Sequence, residues 1–186
     1  GVSSMESYYR GDGTTGLTDL RLFTSGTERM RISETGNVGI GTSTFTAANP
    51  EKLLVDAGTT GSYNVISGRG SINNYLQLNI QNRSNGTSAS SDVVATANNG
   101  NESVNFIDMG INSGGYSNTG LPILDGVNTA YLYATGRNFF IGNGTAGRDL
   151  IFFTNGFANA DEKIRILSGG NVGIGVINPA DKLSVA

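Results

Sequence analysis

The stretch Gly36–Gly41, with the sequence GNVGIG, constrains this chain most, because it returns unchanged as Gly170–Gly175. In both copies Val and Ile alternate with Gly, and this period of two predicts a strand and not a helix. One face of such a strand carries branched apolar side chains, and the other carries none. A bare face is unfavourable in a strand unless another backbone lies very close to it. We therefore predict that each copy is pressed against another chain. The residues predicted to form this contact are Val38, Gly39, Ile40, Gly41, Val172, Gly173, Ile174 and Gly175.

The repeat extends well beyond these six residues, from about residue 8 to 55 and from about residue 139 to 185. Asp19–Gly26 matches Asp149–Gly156, and Arg31–Ile32 matches Arg165–Ile166. A repeat of this length indicates a duplicated structural unit. We predict three regions: a first arm at 1–55, an inserted head at 56–138 and a second arm at 139–186.

Short alternating segments joined by Gly-containing turns fill both arms. Met30 and Ile32 alternate with arginines, and a Gly-ended turn follows at 33–36, as it does at 167–170. The spacing of apolar residues that marks an amphipathic helix does not occur, and 158–162 is at most a short turn. The arms are therefore predicted to be all-β.

The insert carries strand patterns of its own. Leu76, Leu78 and Ile80 alternate with polar residues, which is typical of a half-buried strand. Further strands are predicted at 93–97 and around Leu132, and the apolar positions between 104 and 111 change face, which predicts a bulge or burial on both sides. These patterns predict a β-sandwich-like head.

Composition excludes several classes of function. With no Cys and no His, the chain lacks thiol nucleophiles, imidazole bases and the commonest transition-metal ligand. The net charge of −3 and the lack of a basic stripe argue against binding to nucleic acid. No apolar run approaches the length of a membrane span. We expect a protein that is not an enzyme, with no cofactor and no bound metal ion. Because the chain starts at Gly1 and stops in a strand-like segment, we also expect a fragment of a longer protein.

Two short motifs match known binding signatures. Gly142-x-Gly144-x-x-Gly147 fits the dinucleotide fingerprint, which needs a helix directly after it, but a β-like run follows here. Arg10-Gly11-Asp12 is the tripeptide that integrins bind, and the second arm has no counterpart to it. Neither motif carries a functional prediction.

The insert holds the candidates for chemistry. Asp92 and Asp108 could act as the carboxylate pair of a glycosidase if they lie about 5 to 10 Å apart, which their spacing in the sequence does not determine. Asn98, Asn101 and Glu102 offer oxygen ligands for calcium, without the regular spacing of a calcium loop. Tyrosines with nearby amides suit a sugar site, and Tyr116 is expected to be exposed. The residues predicted to bind a glycan are Asp92, Asn98, Asn99, Asn101, Asn112, Tyr116 and Asn118.

Glu28–Ser43, followed by Pro50 and Lys52–Val55, resembles a segment of bacteriophage tail fibres. In those fibres it often precedes an intramolecular chaperone domain that trimerises the fibre and is then released. Gly86–Gly100 and Ile107–Asn112 also resemble tail-fibre and other phage structural proteins. No segment resembles the chaperone itself, so self-cleavage is not carried over.

The resemblance implies an elongated, intertwined homotrimer in the virion that recognises a receptor on the bacterial surface. It also provides the neighbour that the bare Gly face needs, namely the same strand of another subunit. The expected function is non-catalytic binding of a bacterial surface polysaccharide or lipopolysaccharide. A purely structural fibre spacer and a glycan depolymerase remain the alternatives.

Overall fold

The computed structural model describes residues 3–10 and 17–186, and its regular elements are twelve strands and one short 3-10 helix. The all-β prediction is confirmed, and the helix falls at Asn159–Asp161, inside the predicted short turn. Within the described ranges, no helix is long and apolar enough to cross a membrane. The strands are β1 (Ser4–Arg10), β2 (Leu17–Thr24), β3 (Thr27–Ile32), β4 (Val38–Ile40), β5 (Leu53–Val55), β6 (Ser90–Thr96), β7 (Phe106–Asn112), β8 (Ala130–Ala134), β9 (Leu150–Phe153), β10 (Glu162–Ile166), β11 (Val172–Ile174) and β12 (Leu183–Val185).

The two arms fold into sheets with the same topology. Strands β1 to β5 form one sheet in sequence order, and β9 to β12 form another, also in sequence order. In each sheet the GNVGIG strand, β4 or β11, pairs antiparallel with the strand before it and parallel with the strand after it. Its central glycine lies opposite an arginine, Gly39 opposite Arg31 and Gly173 opposite Arg165. The internal repeat is therefore also a structural repeat, in which β2 to β5 correspond to β9 to β12.

The turn before each GNVGIG strand explains the first glycine of the motif. Gly36 has a φ of +76° and Gly170 a φ of +85°, a backbone region that favours glycine. Each donates its N–H to the carbonyl three residues earlier, Gly36 to Ser33 and Gly170 to Leu167, both at 2.8 Å. These bonds close the predicted tight turns.

The central glycine of each motif is covered by the chain's own loop. A side chain on Gly39 would meet the carbonyl oxygen of Thr42 at 2.5 Å and the ring of Phe45 at 3.3 Å. A side chain on Gly173 would meet the carbonyl oxygen of Val176 and, at 3.4 Å, the ring of Pro179. The close backbone approach predicted from the bare face is thus present, but it is made within one chain. The contact with another chain stays a prediction and no longer follows from these glycines.

The arms differ at their first edge. Residues 8 and 9 belong to β1, which pairs along its whole length with β2. Phe139 and Phe140, at the start of the second copy of the repeat, belong to no strand, and β9 has no partner on its outer edge among the described residues. The second sheet therefore has one strand fewer than the first.

The insert contains a single antiparallel sheet, in the order β6-β7-β8. The prediction of a β-sandwich-like head is wrong, because residues 56–89, which supply Leu76, Leu78 and Ile80, contain no strand within one chain. The predicted bulge is also wrong, since β6 and β7 pair without a register shift. The change of face arises because β7 begins only at Phe106, after Asn105 with a φ of +59°.

The chain divides into two compact units, Gly1–Gln77 and Leu78–Ala186. The first unit contains the β1–β5 sheet, and the second contains the other two sheets. The division falls inside the insert predicted at 56–138. Among the side chains that the structure describes, Tyr116 and Pro179 are the only apolar ones that are buried. The described side chains of neither unit form a substantial apolar core.

Candidate functional site

Two carboxylates and two tyrosines share one face of the β6-β7-β8 sheet. Asp92 lies opposite Gly110, which lies opposite Tyr131, while Asp108 lies opposite Tyr133. Because side chains alternate between the faces of a strand, all four side chains project from the same face, here called the Asp–Tyr face. Asp92 and Asp108 occupy diagonal cross-strand positions, which are about 7 to 8 Å apart in antiparallel sheets. The fold thus brings the two predicted carboxylates together.

Gly110 gives the Asp–Tyr face its local shape. A side chain there would lie 2.6 Å from the ring of Tyr131, so only glycine lets this ring cross the strand. The Tyr131 hydroxyl then donates a hydrogen bond of 2.5 Å to Oδ1 of Asp92. Ser90 donates one of 2.5 Å to Oδ2. Both oxygens of Asp92 are therefore held by neighbours.

Asp108 is the least satisfied group of the site. Only 8% of the residue is exposed, and its Oδ1 has no hydrogen-bond partner. Burial raises the pKa of Asp108, and the charge of Asp92 adds to this effect. A hydrogen bond with Tyr133 acts in the opposite direction and does not cancel the rise in the pKa. One buried carboxyl oxygen thus lacks the donor that a buried polar atom normally has.

The two tyrosines are held in their neutral form. Burial and the hydrogen bond to Asp92 raise the pKa of Tyr131 to about 12. Burial, followed by the charge of Asp108, also raises the pKa of Tyr133. The ring of Tyr133 packs edge-on against Phe106, with 5.8 Å between the ring centres. The tyrosines therefore act as hydroxyl donors and as aromatic walls.

Two small cavities open on this face. The first has a volume of about 190 Å³. The side chains that matter for its chemistry are Asp92, Asn101, Glu102, Phe106, Asp108 and Tyr133. The second, of about 170 Å³, shares Asp92, Asp108 and Tyr133 with the first and is closed by Tyr116, Leu121 and Leu124. An aromatic wall beside hydrogen-bonding groups in a shallow cavity suits a sugar.

Three of the seven predicted glycan-binding residues line these cavities, and four do not. Asp92 and Asn101 line the first cavity. Tyr116 lines the second and is buried, so its predicted exposure is wrong: the chain folds the 113–129 loop over it. Asn112 is buried, and its amide donates to the carbonyls of Leu124 and Gly126, so that it orders this loop. The remaining predicted residues, Asn98, Asn99 and Asn118, lie outside both cavities.

Tyr133 and Phe106 were not among the predicted glycan-binding residues. A signal for Tyr133 was present in the sequence, because Tyr131 and Tyr133 on either side of Leu132 project from the same face of a strand. The sequence does not reveal the strand register that sets Tyr133 opposite Asp108.

The calcium alternative has no support from the geometry. Asn101 Oδ1 accepts hydrogen bonds from the backbone N–H groups of Ser103 at 2.8 Å and Val104 at 3.2 Å, as in an ordinary Asx turn. Across the described part of the chain, no three acidic side chains come close enough together to hold a metal ion.

The short motifs have the following positions. The Gly142–Gly147 segment precedes strand β9 and no helix, so the dinucleotide fingerprint lacks its essential part. Arg10 ends β1, while Gly11 and Asp12 lie outside the described residues.

In the predicted trimer contact, the side chains of Ile40 and Ile174 are exposed and free to touch a neighbour.

No protein-family model matches the chain, and no curated protein matches it.

Proposed function

We propose that this chain is part of a bacteriophage tail fibre, that it assembles as a homotrimer in the virion, and that it binds a bacterial surface glycan without catalysis. The main support for a homotrimer is that the apolar side chains of the chain are exposed. Tyr116 and Pro179 are the only buried apolar residues among the described side chains, whereas Leu78, Met109 and Leu132 are at least half exposed. Apolar surface of this kind marks sites of association, and other copies of the chain would cover it.

The face of the β6-β7-β8 sheet opposite the Asp–Tyr face illustrates this need. It is formed by Val93, Ile107, Met109, Ile111 and Leu132, here called the apolar face. Met109 is 56% exposed and Leu132 is 50% exposed. A contiguous apolar sheet face of this kind marks a surface for association. Copies of the same chain are the occupants that the fibre assignment implies.

Sedimentation equilibrium tests the assembly. Three chains of 19.3 kDa give a particle of about 58 kDa. Met109→Lys places a charge on the apolar face and is expected to reduce the trimer fraction, whereas Asn99→Lys, outside that face, leaves it unchanged. A stable monomer at micromolar concentration contradicts the trimer and most of the fibre assignment.

The Asp–Tyr face supports the glycan part of the proposal. Its cavities combine aromatic walls with hydroxyl and carboxyl groups, the usual composition of a sugar site. Three identical sites in one particle would raise a weak affinity per site through multivalency. Binding to immobilised bacterial polysaccharides is the test. If none binds, the chain is a structural spacer and recognition lies elsewhere on the fibre.

One observation favours a second candidate, a glycan depolymerase. Asp92 and Asp108 occupy diagonal cross-strand positions, whose usual spacing of about 7 to 8 Å overlaps the range of glycosidase carboxylates. The raised pKa of Asp108 suits a general acid. Incubation with a polysaccharide that binds distinguishes the two. Release of oligosaccharides that is lost in Asp108→Asn establishes catalysis, and binding without release establishes the non-catalytic function.

A further inference from the structure

The first cavity of the Asp–Tyr face has a distinctive balance of charge. Asp92, Glu102 and Asp108 all line it, and none of the described residues that line it is a Lys or Arg. An acidic sugar placed there would meet carboxylates on several sides without a compensating cation. The cavity therefore disfavours uronic and sialic acids.

The surroundings of Asp108 indicate which chemical group a ligand of this cavity would supply. It is more than nine-tenths buried, and its Oδ1 has no donor. Oδ1 itself is closed to solvent, so a ligand compensates the buried carboxylate through its charge and not through a bond to this oxygen. A cation in the cavity also offsets the repulsion between Asp92 and Asp108.

The other walls suit a sugar ring that carries such a cation. Phe106 and Tyr133 meet edge-on and form the aromatic side of the cavity. Aromatic faces pack against the C–H face of a sugar and also attract a nearby cation. A volume of about 190 Å³ holds about six waters, which corresponds to one sugar unit and not to a long oligosaccharide.

We infer that this cavity binds a single hexosamine unit with a free amino group, whose ammonium faces the carboxylates that line the cavity. This inference rests on the proposed glycan binding and narrows it to amino sugars. The groups facing Asp108 are Asp92 from β6, Tyr131 and Tyr133 from β8, Tyr116 from the 113–129 loop and Glu102 from the 97–105 turn. All are acids or neutral hydroxyls, so no basic side chain of these elements competes with the ammonium.

Calorimetric titration of the assembled protein with three tetrasaccharides tests this inference. The probes are tetraglucosamine, its fully N-acetylated form and tetragalacturonate. Tetraglucosamine is expected to bind about tenfold more tightly than the acetylated form, the value of one hydrogen bond to a charged group. Tetragalacturonate is expected not to bind. Equal binding of the first two, or preferential binding of tetragalacturonate, overturns the inference.

Asp108→Asn keeps the shape of the side chain and removes its charge, so it should lose about tenfold in affinity for tetraglucosamine. Asp181→Asn removes the same charge at an exposed position outside the cavity and should leave the affinity unchanged. An Asp108→Asn protein that binds tetraglucosamine as tightly as the unmodified protein overturns the inference.

The unmodified protein gives a second readout that does not depend on a variant. Affinity for tetraglucosamine should rise as the pH increases through the pKa of Asp108, because the carboxylate forms while the amine is still protonated. A pH-independent affinity between pH 4 and pH 7 contradicts the inference. Failure of the proposed function is a different result: no polysaccharide of any charge then binds.

Discussion

Arg31 holds two carboxylates of its own sheet at once. It donates to both oxygens of Glu28, at 2.8 and 2.9 Å, and to Asp19 at 3.1 Å. The hydrogen bond from Arg31 lowers the pKa of Glu28. Burial alone would raise the pKa of Asp19, but Arg21 and Arg31 together lower it. The second arm repeats this arrangement, with Arg165 bound to Glu162 and Asp149.

Replacement of Arg31 by Met should destabilise the protein by about 2 kcal/mol, because Glu28 loses the hydrogen bonds from Arg31 and Arg21 is left as the cation of both carboxylates. Chemical denaturation at pH 7 measures the loss in free energy of unfolding. Arg165→Met is the matched control in the second arm, where the arginine and Asp149 are more exposed, and it should cost less. Equal losses would mean that burial does not determine the strength of these pairs.

The glycines of the repeat provide a second test at single residues. Gly173→Ala should cost about 1 to 3 kcal/mol, because the new methyl group meets the backbone of Val176. Gly169→Ala, four residues earlier, adds a methyl group where no atom lies within 4 Å and should change stability by less than about 0.5 kcal/mol. Thermal unfolding of the two variants compares them. A Gly173→Ala protein as stable as Gly169→Ala would show that the loop shifts freely.

At the scale of elements, the two arms share a feature beyond their strand order. In β3 the register shifts between the pairs that contain Met30 and Glu28, and in β10 it shifts between Ile164 and Glu162. Residues three apart on a regular strand face opposite sides, and a bulge reverses this. The shift therefore lets Glu28 reach Arg31, and Glu162 reach Arg165, on one face.

The segment before β6 forms no strand within the described part of the chain. Leu78 is 89% exposed, although its neighbours alternate as in a half-buried strand. Leu78→Asp should leave a single chain unaffected but lower the trimer fraction in sedimentation, because this alternation suits packing against another chain. Asn79→Asp places the same charge on the opposite side of the segment and should have no effect. Trimer fractions that agree for both variants would exclude this segment from the interface.

At the scale of the whole molecule, the missing core predicts a dependence on concentration. If the apolar surface is covered only on assembly, folding and association are linked, and Tm rises with protein concentration. Scanning calorimetry at two concentrations a hundredfold apart measures this shift. A Tm that stays constant would mean that the chain is stable without its neighbours.

The sequence by itself determined the features that depend on local period and repetition. Alternation of Val and Ile with Gly predicted β4 and β11, the duplicated segments predicted two equivalent sheets, and the lack of helical spacing predicted an all-β chain. These features depend on neighbouring residues alone, so they can be deduced without knowing which distant segments meet. The same holds for Tyr131 and Tyr133, whose alternation placed them on one face.

Only the tertiary structure determined which residues lie opposite each other in the sheets and which segments cover them. Strand register brings Asp92, Asp108 and Tyr133 together, and the returning loop, not another chain, covers Gly39. The strand expected at Leu78 does not form because a strand needs a partner for its backbone, and no segment among the described residues pairs with it. Pairing is a contact between residues far apart in sequence, and a pattern within one segment does not carry that information.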